Sequence, residues 1–231
     1  MQRPRLMRDV RRTWSRAERK MYVPASFAVS DEKTLESFIE RYDFATLTTP
    51  SAAGLVASHI PIMLRRSAGK AALIGHVARA NSQWKHFDGN TEALAIFHGP
   101  HAYVSPTWYA TSPAVPTWNY AAVHVYGKPR AREEGDFTAA ALRDLVARHE
   151  GSRATPWRTE GLAGDVYQKL TKGIVAFEMP IERIEGKFKL GQNRSQDDRL
   201  GMLEGLDAEK SPDADALAAF IRETLKSDGG V

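Results

Sequence analysis

The chain has 231 residues, 42% of them hydrophobic, no cysteine and a formal net charge of +4. That length and composition suit one large domain, or one domain with a small appendix, around a packed core. The lack of cysteine excludes a disulfide scaffold, a thiolate metal site and cysteine catalysis, and no apolar run of eighteen residues is present to span a membrane.

The basic balance is local. Residues 1–20 carry eight basic and two acidic side chains, so the other 211 residues sum to −2. This arm reads as a disordered segment for nucleic acid or acidic partners, as a solubilising extension, or as a stretch ahead of a start at Met21. Arg11–Arg12 is followed by no apolar stretch and is not an export signal. Residues 51–130 hold seven basic and two acidic side chains between acidic flanks, which suits a small anion such as a phosphate.

Asp31 is placed to cap a helix with an apolar stripe of Leu35, Phe38, Ile39 and Tyr42. Strands are predicted over 44–49, 55–64 and 71–77, separated by the turn residues PSAAG and RRSAGK. Residues 78–87 read as a loop entering a short helix, and 92–97 as a fourth strand. The stretch 99–120 holds four prolines, two tryptophans and three tyrosines, and is predicted as a rigid irregular loop. A long strand is expected over 121–133, helices over 136–150 and 162–172, and a strand over 173–190 bent at Gly186. Two helices close the chain, the first capped by Ser195. Strands come in a run and helices mostly late, which is not the alternation of a doubly wound parallel sheet. The predicted fold is mostly β with peripheral helices, in a small barrel.

No dinucleotide fingerprint, Walker loop, GxSxG or HExxH is present. His98-x-x-His101 straddles Gly99-Pro100, which breaks helical ligand geometry, and no metal site is expected. His76-Val-Ala-Arg-Ala-Asn-Ser-Gln-Trp84 sits at a strand-to-helix junction. There Arg79 offers a bidentate fork, and Asn81, Ser82 and Gln83 add neutral donors, as a phosphate cradle or a helix cap. Val115-Pro-Thr-Trp-Asn-Tyr120 sets Trp118 and Tyr120 around Asn119, as a wall for a heteroaromatic ligand or a plug at a barrel end or dimer contact. Residues 187–195, KFKLGQNRS, read as capping and loop bonding, or as a closing wall or subunit tie.

These segments, with MYVP (21–24), FATLTT (44–49), ASHIPIML (57–64), GHVARANSQWKHF (75–87), IFHGPHAYVSPTWY (96–109), VPTWNYAAVHVYG (115–127) and KFKLGQNRSQDDRLG (187–201), resemble the PaiB-type family of FMN-binding negative transcriptional regulators. Gly191 is one departure, standing where a small polar residue is expected. The resemblance implies a split β-barrel that binds FMN and pairs as a homodimer with the flavin at the interface, in the bacterial cytoplasm. It divides the chain into the arm 1–20, a barrel domain 21–206 and a C-terminal helix in 207–231. By that resemblance Ser58, His59, Ile60 and Pro61 lie beside the flavin ring, and His76, Arg79, Asn81 and Gln83 near its phosphate or ribityl chain. Trp118 and Asn119 are candidates for the interface side. No helix-turn-helix or basic recognition helix accompanies the regulatory label, so DNA binding is expected to be weak or indirect. An FMN-dependent oxidoreductase or flavin reductase using NAD(P)H, and a flavin-bound sensor working through a protein partner, stand beside it.

Overall fold

The computed structural model describes residues 20–67 and 69–227; apart from Lys20, the basic arm lies outside the described residues. Its elements run β1 (Ala28–Val29), α1 (Glu32–Arg41), β2 (Phe44–Ser51), β3 (Gly54–Ser67), β4 (Lys70–Ala78), β5 (Ala93–Val104), β6 (Thr117–Gly127), β7 (Arg130–Arg132), α2 (Gly135–Glu150), α3 (Gly164–Lys172), β8 (Ile174–Lys189), α4 (Gln196–Glu209) and α5 (Pro212–Ser227). All strand pairings are antiparallel.

Two long strands make the barrel. The first half of β3 pairs with β2 and its second half with β4. Likewise β8 pairs with β4 over its first half and with β6 over its second. Together with the β2–β5 and β5–β6 pairings this closes a six-stranded ring. It is a split barrel, because β3 and β8 each leave one sheet and enter the other.

Alternation sets the faces. Ala45, Leu47 and Thr49 of β2 point inward and are buried, while Phe44, Thr46 and Thr48 point out. The core continues through Ile62, Leu73, Phe97, Val123, Phe177 and Met179. Asp31 accepts from the Thr34 amide at 2.8 Å, caps α1 and turns Leu35, Phe38 and Ile39 onto the barrel. Helices α4 and α5 bury Met202, Leu206, Leu217 and Ile221 in the same core.

Three expectations need correction. The stretch 99–120 is not one loop: β5 continues to Val104 and β6 begins at Thr117, leaving only 105–116 irregular. A register shift between His98 and His101 absorbs Pro100, whose missing N–H a bulge tolerates. Ser105 caps the 3-10 turn Pro106–Trp108, where proline at the first position costs nothing. The irregularity in β8 falls between Ile181 and Arg183, where the strand changes partners, and not at Gly186. Gly186 is instead a close approach, since a Cβ there would run into the Leu35 side chain. The strand expected over 121–133 also ends early, at Gly127, and resumes after Pro129 as β7.

Candidate functional site

The outer face of the sheet formed by β3, β2, β5, β6 and β8 carries one cross-strand row. Its members are His59, Thr46, Ile96, His124 and Glu185 in register. The next row holds Ala57, Thr48, Leu94, Tyr126 and Arg183. His59 Nδ1 lies 3.0 Å from Thr46 Oγ1. The Arg183 guanidinium stacks 3.4 Å above the Tyr126 ring and pairs with Glu185. His124 Nδ1 is buried and has no hydrogen-bond partner among the described residues. Helix α2 packs on the β3–β4–β8–β7 side, where Arg65 reaches Asp144 and Arg132 stacks on Phe137.

Burial holds His124 below the usual histidine range, as it does His98 and His76. A base whose pKa is lowered by folding adds stability above its ordinary pKa, near 6.5, and that stability is lost as pH falls below it. The urea-unfolding midpoint is therefore expected to drop between about pH 7 and about pH 5, and His124→Phe to shallow that drop. An unchanged slope in the variant would remove His124 from the account.

On the other side of β3, the side of Leu47, three of the predicted residues come together. Asn81 Nδ2 donates to Ser58 Oγ at 2.8 Å, and Asn81 Oδ1 accepts the Gln83 amide at 3.0 Å, capping the 3-10 turn Ser82–His86. Gln83 is fully buried, and its Nε2 faces the Leu47 carbonyl, Thr49 Oγ1 and the Val56 carbonyl at 2.9, 3.2 and 3.3 Å. That amide stitches β2 to β3.

The other predicted residues are distributed differently. Strand alternation sends Ser58 and Ile60 to one side of β3 and His59 and Pro61 to the other. His76 is half-buried on β4, opposite Ala176. Arg79 is anchored at long range: Nε donates to the Lys172 carbonyl at 2.9 Å, Nη2 to the Ile174 carbonyl at 3.2 Å, and Nη1 lies 3.5 Å from Glu133. Two of its five N–H groups are thus spent on carbonyls between α3 and β8. Asn119 is buried against the Met202 sulfur at 3.1 Å. Its neighbour Trp118 is 55% exposed. Trp118 stands six residues along β6 from His124, a span of about 20 Å at strand rise. One chain therefore does not bring Trp118 beside His59.

The loop 105–116 is fastened from below by the KFKLGQNRS segment and α4. Buried Asp198 accepts from the Thr111 amide at 2.9 Å and from its hydroxyl at 2.7 Å, and these bonds hold its carboxyl below the usual range. Trp108 fills a groove that any Cβ at Gly201 or Gly205 would close. Gly191 has φ +85°, which favours glycine over a small polar residue. Thr46, His124 and Asp198 were missed by motif reasoning. The alternation in FATLTT and AAVHVYG would have put the first two on the outer face; no local signal marks Asp198.

The fold is that of the flavin-binding split barrels. At a TM-score of 0.54 it resembles the flavocytochrome Anf3 of Azotobacter vinelandii, at 14% identity over 76% of this chain and 72% of that one. It resembles the FAD and heme binding protein of Mycobacterium smegmatis equally, at 15% identity over 70% and 73%. Residues 21–183 match the family model described as "Putative FMN-binding domain", and the chain belongs to that family. It is 34% identical over 206 residues to the Protease synthase and sporulation protein PAI 2 of Bacillus subtilis, spanning 89% of this chain and 99% of that protein. It is 31% identical to the uncharacterized protein AN0679 of Emericella nidulans, over 88% of this chain and 97% of that one.

The cofactor is FMN. The residues fit it. The outer face offers a half-buried histidine with an unmade hydrogen bond, two threonine side chains and apolar Ile96 and Leu94 for a flat ring. Across β3 stands the Ser58–Asn81 pair; Arg79 keeps free N–H groups beside α2 and α3, and Lys85 makes no hydrogen bond or ion pair among the described residues.

Proposed function

We propose that the chain is a flavin-linked sensor of the PaiB regulatory type, a cytoplasmic homodimer holding FMN between the outer sheet faces of two copies. The observation that carries this reading is the row His59–Thr46–Ile96–His124 on the outer sheet face, with exposed His59 and an orphaned buried nitrogen on His124. In this reading the ring lies on the row, held by His59, Thr46 and His124. Ser58, Asn81 and the backbone of Ile60 and Pro61 orient the side chain, and Gln83 holds Asn81 in place. Arg79 and Lys85 face the phosphate. A second copy supplies Trp118, which the same chain holds too far away. Bound FMN supplies reversible two-electron chemistry; the chain's part is to exclude water from the ring and fix its orientation. The regulatory half is supported by the likeness, along nearly its whole length, to a relative named for protease synthesis and sporulation.

Comparison of the full chain with residues 21–231 tests this. The Met21 amide donates to Glu185 at 2.9 Å and Lys187 Nζ to the Tyr22 carbonyl at 2.9 Å, so the fold is tied down from Met21 onward. Both proteins are expected to form dimers and hold FMN alike. DNA binding, if the full chain has it, is expected to fall steeply with salt and to flatten on truncation, because the arm carries the positive charge. Steady NAD(P)H oxidation by the FMN-loaded protein would favour a reductase instead. Loss of dimer or flavin on truncation would make the arm part of the fold.

A further inference from the structure

Away from the flavin face, a cavity of about 300 Å³ opens between α1, α5 and the end of β8. Its floor is three buried rings. Phe38 and Phe188 have centroids 5.1 Å apart, Phe188 and Phe220 5.3 Å, and Phe38 and Phe220 6.0 Å. Its rim is polar. Lys33, Ser37 and Arg41 follow one another at four-residue spacing along α1, facing Glu223 and Thr224 of α5. Arg41 is paired with Glu223 at 2.6 Å. Lys33 and Ser37 make no hydrogen bond or ion pair among the described residues, and the opposite charge that acts with Lys33 is Asp31 at the start of the same helix.

This combination argues for a small ligand. Three charged groups, Lys33, Arg41 and Glu223, ring the mouth. A pocket of this size lies at the low end of the range for small-molecule sites, about 300–1,000 Å³. The floor suits an aromatic ring by offset or edge contact. The rim holds two cations and one anion, and the cation outside an ion pair is Lys33.

We propose that this cavity is a second small-molecule site, for a single-ring aromatic monocarboxylate. The ring rests on Phe38, Phe188 and Phe220, and the carboxylate meets the Lys33 ammonium and the Ser37 hydroxyl. The site uses none of the residues assigned to FMN.

Titration calorimetry of phenylacetate into the FMN-saturated full chain tests it, with acetate and phenethylamine as controls lacking the ring or the anion. Saturable binding of one phenylacetate per chain is expected, with neither control binding and the FMN absorption unchanged. Lys33→Glu, at an exposed helix position, is expected to weaken phenylacetate about tenfold, the loss of one charge-assisted contact. Ser37→Trp is expected to abolish binding by filling the mouth while FMN stays bound. The proposal is overturned by absent saturation at millimolar phenylacetate, by equal affinity in Lys33→Glu, or by release of FMN, which would place the probe on the flavin face.

Discussion

Gln83→Ala is expected to lower the unfolding free energy by on the order of 3 kcal/mol, about 6–12 °C in midpoint for a chain of this size. The reason is geometric. The side chain is fully buried, and its amide group serves acceptors on two strands, the Leu47 and Val56 carbonyls and the Thr49 hydroxyl. Truncation leaves a cavity and removes the two N–H donors that these oxygens share. Gln83→Glu separates the donor from the volume. Its carboxylate would face those oxygens, so its pKa would rise and the protonated form would be favoured. A raised carboxyl pKa means stability present at low pH and lost as pH rises through that value. The Glu variant is therefore expected to be more stable in mild acid than at neutral pH. Asn81 accepts from the Gln83 backbone N–H, which neither substitution removes, so FMN affinity is expected to hold in both variants under conditions where they stay folded. Urea unfolding followed across pH checks this; a neutral Gln83→Ala would show that the stitch between β2 and β3 is not needed.

Arg79→Ala is expected to weaken FMN by about one decade and riboflavin much less, because only FMN offers a phosphate. The lower end of the range for a charge-assisted pair applies, since the guanidinium is 45% exposed and partly screened. Its bonds to the Lys172 and Ile174 carbonyls fix the fork before ligand arrives, which reduces the ordering cost of binding. Parallel titrations of FMN and riboflavin by flavin fluorescence distinguish the cases. Equal losses for both ligands would make Arg79 a strut between β4 and the α3–β8 junction and nothing more.

Local chemistry made much of this fold legible. The Asp31 cap, the stripe on α1 and the alternation in 44–49 need only near neighbours in sequence, and each element lies where they put it. Composition misled over 99–120, because proline density suggested a loop while a bulge let β5 run through Pro100. Ring closure depends on β3 and β8 each changing partners midway, which no local pattern encodes. The site divides in the same way. Ser58 and Asn81 were each visible as polar residues, but their bond spans 23 positions. Arg79 was visible as a cation; the carbonyls that hold it lie 93 and 95 residues away. The orphaned His124 nitrogen arises from packing around a strand residue and has no signature in the motif.

The central claim is that this barrel holds FMN on its open outer face. Flavin titration of the purified chain and of His59→Ala/His124→Ala, with FMN and FAD in parallel, tests it most directly. Saturable FMN binding is expected, one per chain and tighter than FAD, and it is expected to weaken in the double variant while unfolding remains cooperative. FMN binding unchanged in a folded double variant, or FAD bound more tightly than FMN, would contradict it.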